Sequence, residues 1–172
     1  MKELKIKGGN TLTGTIRISG AKNASVALIP AAILADGEVT ICNVPEITDT
    51  DALTEILEYL GADVKRASES IVINSDTIVN KPIPESISKK LRASYYFMAV
   101  LLGKYKHVEM YFPGGCSIGA RPIDQTLKGF KALGATIIEE ENKYIIDAKE
   151  LVGTNVYLDM PSVGATINTM LV

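Results

Sequence analysis

"TDTDALTEILEYLGADVKR", residues 48–66, and "RPIDQTLKGFKALGATIIEEE", residues 121–141, are two versions of one pattern. In the first version, Gly61 supplies the left-handed residue that commonly ends a helix. Apolar residues before it recur at the spacing of one helix face, at Leu53, Ile56, Leu57 and Leu60. The stretch therefore predicts a helix followed by a strand.

The two versions keep a constant spacing. Asp51 and Asp124 are 73 residues apart, and so are the glycines of the two "LGA" motifs, Gly61 and Gly134. A second short apolar stretch follows each strand, "SIVIN" in one copy and "KYIIDA" in the other, which predicts a hairpin. Glycine is common at helix ends and explains "LGA" alone, but the paired aspartates and hairpins favour a structural repeat.

Another strand and helix precede each copy. In the first copy they are "GTIRIS", residues 14–19, and "AKNASVALIPAAILADG", before the strand "EVTICNV". The second copy has "SKKLRASYYFMAVLLGK" and "HVEMYF". We expect a kink at Pro30 and helix ends at Gly37 and Gly103.

The sequence thus predicts an α/β (α+β) fold of repeated β-α-β-α-β-β units. The units span about residues 14–75, 82–148 and 153–172, and the third stops inside a helix. The two helices that are apolar around most of their circumference, "NASVALIPAAIL" and "ASYYFMAVLL", predict a centre of helices with sheets outside. An unfinished third unit predicts exposed apolar surface, and hence self-association or marginal stability.

Composition and charge restrict the function. The chain has 172 residues, 47% of them hydrophobic, with a net charge of -2. We therefore expect neither nucleic acid nor a membrane as partner, because the charge offers no broad cationic surface. The N-terminus lacks the apolar segment of a signal peptide, which predicts a cytoplasmic protein. With a single histidine, His107, and two distant cysteines, we expect no metal site and no disulfide.

The two cysteines have different sequence contexts. Cys116 lies in "PGGCSIG", where glycines allow close approach to a ligand, and Arg121 nearby would favour its thiolate. The alternative for Cys116 is a turn residue without chemistry. Cys42 stands between Ile41 and Val44 in a strand pattern, which predicts a small buried side chain.

Three turns at equivalent places in the repeat carry polar or cationic residues before a helix. They are "SGAKNAS" with Lys22, "KKLRAS" with Arg92, and "SVGAT" at 162–166. Arg121 and Pro122 form a further such helix start. Helix N-termini and cations bind anions, so a site for an anionic ligand is predicted, although a solvated lysine explains Lys22 if that motif is taken alone.

"SGAKNA", "LRAS", "PGGCSIGARPID", "LGA" and "SVGAT", in this order and spacing, resemble the enolpyruvyl transferase family across essentially the whole chain. Within that family the cysteine loop resembles the members that act on UDP-N-acetylglucosamine. The resemblance implies an inside-out α/β barrel domain, with the active site in a cleft between two such domains. It also implies transfer of the enolpyruvyl group of phosphoenolpyruvate to the sugar 3-hydroxyl, with release of phosphate and without a cofactor.

The resemblance implies roles for particular residues. Cys116 matches the loop cysteine implicated as a proton donor and alkylated by fosfomycin, while Lys22 and Arg121 match phosphate ligands and Arg92 a further cleft arginine. The catalytic set is thus Cys116, Lys22, Arg121 and Arg92. The substrate-binding set is Lys22, Asn23, Arg92, Arg121, Pro122, Ile123, Asp124, Gln125, Ser162, Val163 and Gly164.

The resemblance also implies what lies outside the chain. Residues 1–20 would be a strand segment that packs with a second domain, and residues 21–172 would be an incomplete first domain. That second domain would supply the general base, so we expect this chain to be inactive alone. Met160 replaces a lysine and Thr126 a histidine that are common in the family.

Two other functions are consistent with the sequence. One is a sugar-nucleotide-binding module without catalysis, and the other is an enzyme like enolpyruvylshikimate-phosphate synthase, which lacks the cysteine loop.

Overall fold

The computed structural model describes residues 3–114 and 123–172. The α-helices within these ranges are α1 Lys22–Ala31, α2 Thr48–Leu60, α3 Glu85–Ser88, α4 Tyr96–Tyr105, α5 Asp124–Ala132 and α6 Val163–Leu171. The strands are β1 Glu38–Cys42, β2 Asp63–Ala67, β3 Ser70–Asn74, β4 His107–Tyr111, β5 Thr136–Glu140 and β6 Lys143–Asp147. Short 3-10 helices occupy Ala32–Leu34 and Arg92–Tyr95.

The repeat predicted from the sequence is confirmed by two sheets of identical topology. One has the order β1-β3-β2 and the other β4-β6-β5, and all their neighbouring strands are antiparallel. In the first sheet Asn74 pairs with Glu38 on one side and Asp63 on the other. In the second sheet Asp147 takes the place of Asn74, between His107 and Thr136.

The helices α2 and α5 occupy the same place in the two units. Asp51 and Asp124 both lie in the first helical turn, where the helix dipole favours an acidic side chain. Gly61 and Gly134 follow the helices in the left-handed conformation, with φ of 105° and 107°. The structural equivalence that the spacing of 73 residues predicted is therefore confirmed.

Helix α4 forms the centre of the core. Its residues from Tyr96 to Leu102 are all buried, and it packs against α1, α6 and β4. Helix α1 is buried on one face only, since Leu28 is 51% exposed. The prediction of a central apolar helix is correct for the second unit, whereas α1 leaves one side uncovered.

The prediction of a strand at residues 14–19 is wrong. Residues 3–20 contain no helix or strand in the described structure, and the segment is exposed to residue 19. Its large apolar side chains are 83–92% exposed, at Leu4, Ile6, Leu12, Ile16 and Ile18. An extended segment becomes a strand only when a neighbouring strand takes its backbone hydrogen bonds, and none of the described strands does so for this segment. In the second unit, the corresponding position is reduced to one parallel bridge between Ile83 and Met110.

Two predicted features of helices differ in the structure. Gly103 lies inside α4, which ends at Tyr105, and the residue that caps it in the left-handed conformation is Lys106, with a φ of 61°. A Cβ at Gly103 would lie 2.9 Å from the carbonyl oxygen of Leu171, so its glycine permits close packing with the end of α6. Pro30 is buried within α1, which changes to a 3-10 turn at Ala32, two residues later.

No helix in the described ranges is long and apolar enough to cross a membrane.

Candidate active site

A pocket of about 440 Å³ lies where the first and second repeat units meet. It brings together three residues that the sequence placed in the binding site, Lys22, Asn23 and Arg92. Its other lining residues are Val26, Asp49, Lys90, Leu91, Ala93, Tyr95 and Tyr96. Residues about 70 positions apart in the chain are therefore neighbours on one surface.

The two cations from the repeat lie at equivalent helix starts. Lys22 is the first residue of α1, whose first turn has no acidic residue and whose N-cap, Ala21, provides no capping side chain. Arg92 begins the 3-10 turn that leads into α4. A helix start without a side-chain cap leaves backbone N–H groups available to an anion, and these add to the charge of the two side chains.

Charge in the pocket is predominantly positive. Three basic residues line it, Lys22, Lys90 and Arg92, against one acidic residue, Asp49. Two of the cations have carboxylate partners on α2. Lys22 lies 2.6 Å from Asp49, and Lys90 contacts both carboxylate oxygens of Glu55 at 2.6 and 2.7 Å.

Two tyrosines contribute aromatic rings to the pocket wall. The rings of Tyr95 and Tyr96 lie 4.6 Å apart between centroids, and the guanidinium of Arg92 lies 5.7 Å from the Tyr95 ring. Burial, followed by the hydrogen bond with Tyr96, raises the pKa of Tyr95 well above its usual value. Tyr95 is therefore a neutral hydroxyl at physiological pH.

The third equivalent turn reaches the pocket through Tyr95. Ser162 caps α6 by accepting a hydrogen bond from the N–H of Ala165 at 3.2 Å. A Cβ on Gly164, in the first turn of α6, would overlap the Tyr95 hydroxyl. The third turn therefore contacts a residue of the pocket that the first two turns line.

The cysteine loop lies mainly outside the described residues. Cys116, Arg121 and Pro122 are not described, so their predicted roles stay predictions. The chain that leads into the loop is attached next to the pocket, because the N–H of Gly114 donates to the carbonyl of Ser88 at 3.0 Å. A Cβ at Gly114 would also overlap the carbonyl oxygen of Lys89, which precedes the pocket residues Lys90 and Leu91.

The remaining predicted substrate residues lie at the starts of α5 and α6. Ile123 is only 8% exposed and belongs to the hydrophobic core, whereas Asp124 is exposed at the first position of α5. Val163 is 75% exposed. Of the two departures from the family pattern, Thr126 is buried and Met160 is exposed.

Gln125 connects these two helix starts. Its amide nitrogen donates to Asp159 at 3.2 Å, and its amide oxygen accepts from the Asp159 N–H at 2.9 Å. The hydrogen bond from Lys128 at 2.6 Å, and then that from Gln125, lower the pKa of Asp159. The side chain of Gln125 therefore holds the segment before Ser162 in place.

The other seven lining residues were not predicted as site residues, and the ones with polar groups among them are Asp49, Lys90, Tyr95 and Tyr96. Lys90, Tyr95 and Tyr96 all flank the "LRAS" motif, so proximity to that motif was an available signal. No sequence signal pointed to Asp49, because its contact with Lys22 depends on how α1 and α2 pack.

The predicted burial of Cys42 is wrong. Cys42 is exposed at the end of β1, on the same face as Glu38 and Thr40. Ile41 and Val44, the apolar neighbours that suggested burial, do belong to the core or pack against it, but within β1 the core-facing residues Val39 and Ile41 alternate with Cys42. A strand with one solvated face places neighbouring residues on opposite sides.

A sequence profile of the EPSP synthase (3-phosphoshikimate 1-carboxyvinyltransferase) family matches residues 6–172. The chain belongs to this family. The solved enolpyruvyl transferase NikO from Streptomyces tendae is similar over 84% of this chain and 32% of its own, with a TM-score of 0.71 and 25% identity. EPSP synthase from Acinetobacter baumannii, with a TM-score of 0.64 and 19% identity over 92% of this chain and 37% of its own, shares the fold.

Curated relatives with higher identity carry a more specific name. Proteins named UDP-N-acetylglucosamine 1-carboxyvinyltransferase 2 are 53% identical in Oceanobacillus iheyensis and 48% identical in Bacillus subtilis, each over 99% of this chain. A protein of the same name from Listeria monocytogenes is 49% identical over 98% of the chain. The chain spans 40% of the length of each of these relatives.

Proposed function

We propose that this chain forms part of an enzyme that transfers the enolpyruvyl group of phosphoenolpyruvate to the 3-hydroxyl of UDP-N-acetylglucosamine. This reaction begins the synthesis of peptidoglycan precursors, and we place it in the cytoplasm. The observation that carries the proposal is the pocket in which Lys22, Asn23 and Arg92 meet. About 50% identity to the carboxyvinyltransferases supports this substrate pair.

The pocket suits a phosphorylated ligand. Both substrates carry phosphate groups, and the pocket offers three cationic side chains and an uncapped helix start to oppose their charge. Fixed cations favour the departure of phosphate, because they stabilise the charge that develops on the leaving oxygen. In this proposal Lys22 and Arg92 hold the anionic groups, and Arg121 joins them.

The reaction proceeds by addition and elimination. In the addition, the methylene carbon of phosphoenolpyruvate gains a proton and the sugar oxygen bonds to the neighbouring carbon, while the sugar hydroxyl loses its proton to a base. In the elimination, the former methylene carbon loses a proton and the bond to phosphate breaks. Cys116 is the proposed proton donor of the first step, and the attachment of Gly114 beside Lys89 starts its loop near the pocket.

The sugar nucleotide is proposed to extend from this pocket along the starts of α5 and α6. Residues 121–125 and 162–164 would contact the uridine and the diphosphate. The hydrogen bonds between Gln125 and Asp159 keep these two segments together. The sugar hydroxyl needs a general base from a second domain, against which residues 1–20 would pack, so the 172-residue chain alone should not turn over.

The proposal is tested by supplying the whole protein that carries this chain with both substrates and measuring the phosphate released from phosphoenolpyruvate. Cys116→Ser should retain UDP-N-acetylglucosamine binding and lose most turnover, because a hydroxyl is a much poorer proton donor than a thiol. Cys42→Ser is the matched control and should retain full turnover, since Cys42 is exposed on β1 outside the pocket. Unchanged turnover of Cys116→Ser would overturn the role of Cys116.

A binding module without catalysis would give a different result in the same assay. Such a protein would bind UDP-N-acetylglucosamine but release no phosphate from phosphoenolpyruvate, even as the whole protein. An enzyme acting on shikimate 3-phosphate would instead release phosphate with that acceptor only.

A further inference from the structure

Lys22 and Asp49 form an ion pair inside the pocket. The Nζ of Lys22 lies 2.6 Å from Oδ1 of Asp49, with 54% and 19% of the two side chains exposed. Both residues line the 440 Å³ cavity. The ammonium assigned to an anionic substrate is therefore already bound to a carboxylate of the protein.

The positions of the two residues explain why they pair. Lys22 places a positive charge at the start of α1, where the positive end of the helix dipole disfavours it, and the first turn of α1 has no acidic residue. Asp49 lies in the first turn of α2, where the helix dipole stabilises its negative charge. Because α1 packs against α2, the carboxylate supplies the anion that the start of α1 lacks.

We propose that Asp49 is a positioning residue that holds Lys22 at the pocket and lowers its affinity for phosphate. A phosphate group that binds Lys22 must share the ammonium with this carboxylate and experiences its repulsion. Asp49 thereby keeps Lys22 in place when the pocket is empty and favours release of inorganic phosphate after turnover. This inference rests on the proposed function, since it concerns the same anion site.

Titration of the whole protein that carries this chain with inorganic phosphate at low ionic strength, followed by NMR, tests the inference. Asp49→Asn should bind phosphate about fivefold more tightly, the factor expected for one partly exposed ion pair. A merely structural role for Asp49 predicts the opposite, because a disturbed pocket binds more weakly. The gain should shrink as salt is added, since Lys22 is half exposed.

Three further variants make the test specific. Asp51→Asn removes the same charge two residues along α2, where Asp51 contacts Arg66 at 3.1 Å outside this pocket, and should have a smaller effect. Lys22→Gln should remove the gain caused by Asp49→Asn when the two are combined. Asp49→Glu keeps the charge and should bind phosphate like the unchanged chain.

Several outcomes would overturn the inference. One is phosphate affinity in Asp49→Asn that is equal to or weaker than that of the unchanged chain. Another is a gain in phosphate affinity in Asp51→Asn as large as that in Asp49→Asn. A third is a gain from Asp49→Asn that persists when Lys22 is replaced by glutamine. Absence of phosphate binding in every variant also overturns it. Failure of the proposed function would appear separately, as absence of turnover in the whole protein, because phosphate titration requires neither catalysis nor a second substrate.

Discussion

The hydroxyl of Tyr95 occupies the position that a Cβ on Gly164 would take. Tyr95 lines the pocket beside Arg92, and Gly164 belongs to the first turn of α6. This contact joins the proposed phosphate site to the proposed wall for the sugar nucleotide. A substitution at Gly164 should therefore displace Tyr95 and alter the pocket.

We expect Gly164→Ala to destabilise the chain by about 1–2 kcal/mol, although alanine is the better helix former. Tyr95 is 8% exposed and its ring packs against that of Tyr96, so it cannot move aside freely. Thermal unfolding measures the effect. The control is Gly153→Ala, where the new Cβ meets nothing within 4 Å and the change should be small.

A double variant tests the cause of this loss. Tyr95→Phe removes the hydroxyl and should recover part of the stability of Gly164→Ala. Only part is expected, because the ring carbon that carries the hydroxyl also lies within 3.0 Å of the new Cβ. Strict additivity of the two changes would show that the contact is not the cause.

Thiol reagents should modify Cys42 in the folded chain. The side chain is exposed on the outer face of β1, so the reaction needs no unfolding. Ellman's reagent, with peptide mapping, identifies the site. Cys42→Ser should abolish this label, and protection of Cys42 until denaturant is added would contradict the prediction.

Asp159 should make the stability depend on pH in the acid range. Its pKa is lowered in the folded chain by Lys128 and then Gln125, so the ionised carboxylate favours the folded state. The contribution of this carboxylate to the stability of the fold is complete above the ordinary carboxyl pKa of about 4. It is lost as the pH falls through the lower pKa of Asp159 in the folded chain.

Thermal melts of Asp159→Asn and the unchanged chain, taken between about pH 2 and 7, measure this effect. The difference in melting temperature should be constant near neutral pH and should shrink towards acid. Lys128→Gln breaks the same ion pair at 2.6 Å and should show the same trend. A difference independent of pH would contradict the assignment.

Leu57 and Phe130 should be equally important to their repeat units. They stand 73 residues apart on α2 and α5, and both are 0% exposed. Replacement by alanine should cost about 2–5 kcal/mol for Leu57 and about 3–5 kcal/mol for Phe130. Urea unfolding gives the values, and Val79→Ala, at a residue 63% exposed, should stay within about 0.5 kcal/mol. A small loss at either core position would argue against equivalence.

The repeat could be predicted from the pattern of residues alone. The spacing of Asp51 from Asp124, and of Gly61 from Gly134, predicted two equivalent helices. Both are present, each with its aspartate in the first turn and its left-handed glycine just beyond the last turn. These features depend on local periodicity and on the conformational freedom of glycine, which a short stretch of sequence contains. The equivalent turns at Lys22 and Arg92 could be located for the same reason.

Contacts between side chains of different elements could not be predicted in this way. Burial of Cys42 depends on which face of β1 packs against the core, and a strand at 14–19 depends on a neighbouring strand for its hydrogen bonds. The pairing of Lys22 with Asp49 depends on the contact between α1 and α2. Such contacts depend on the packing of elements distant in the chain, so no local pattern of residues contains them.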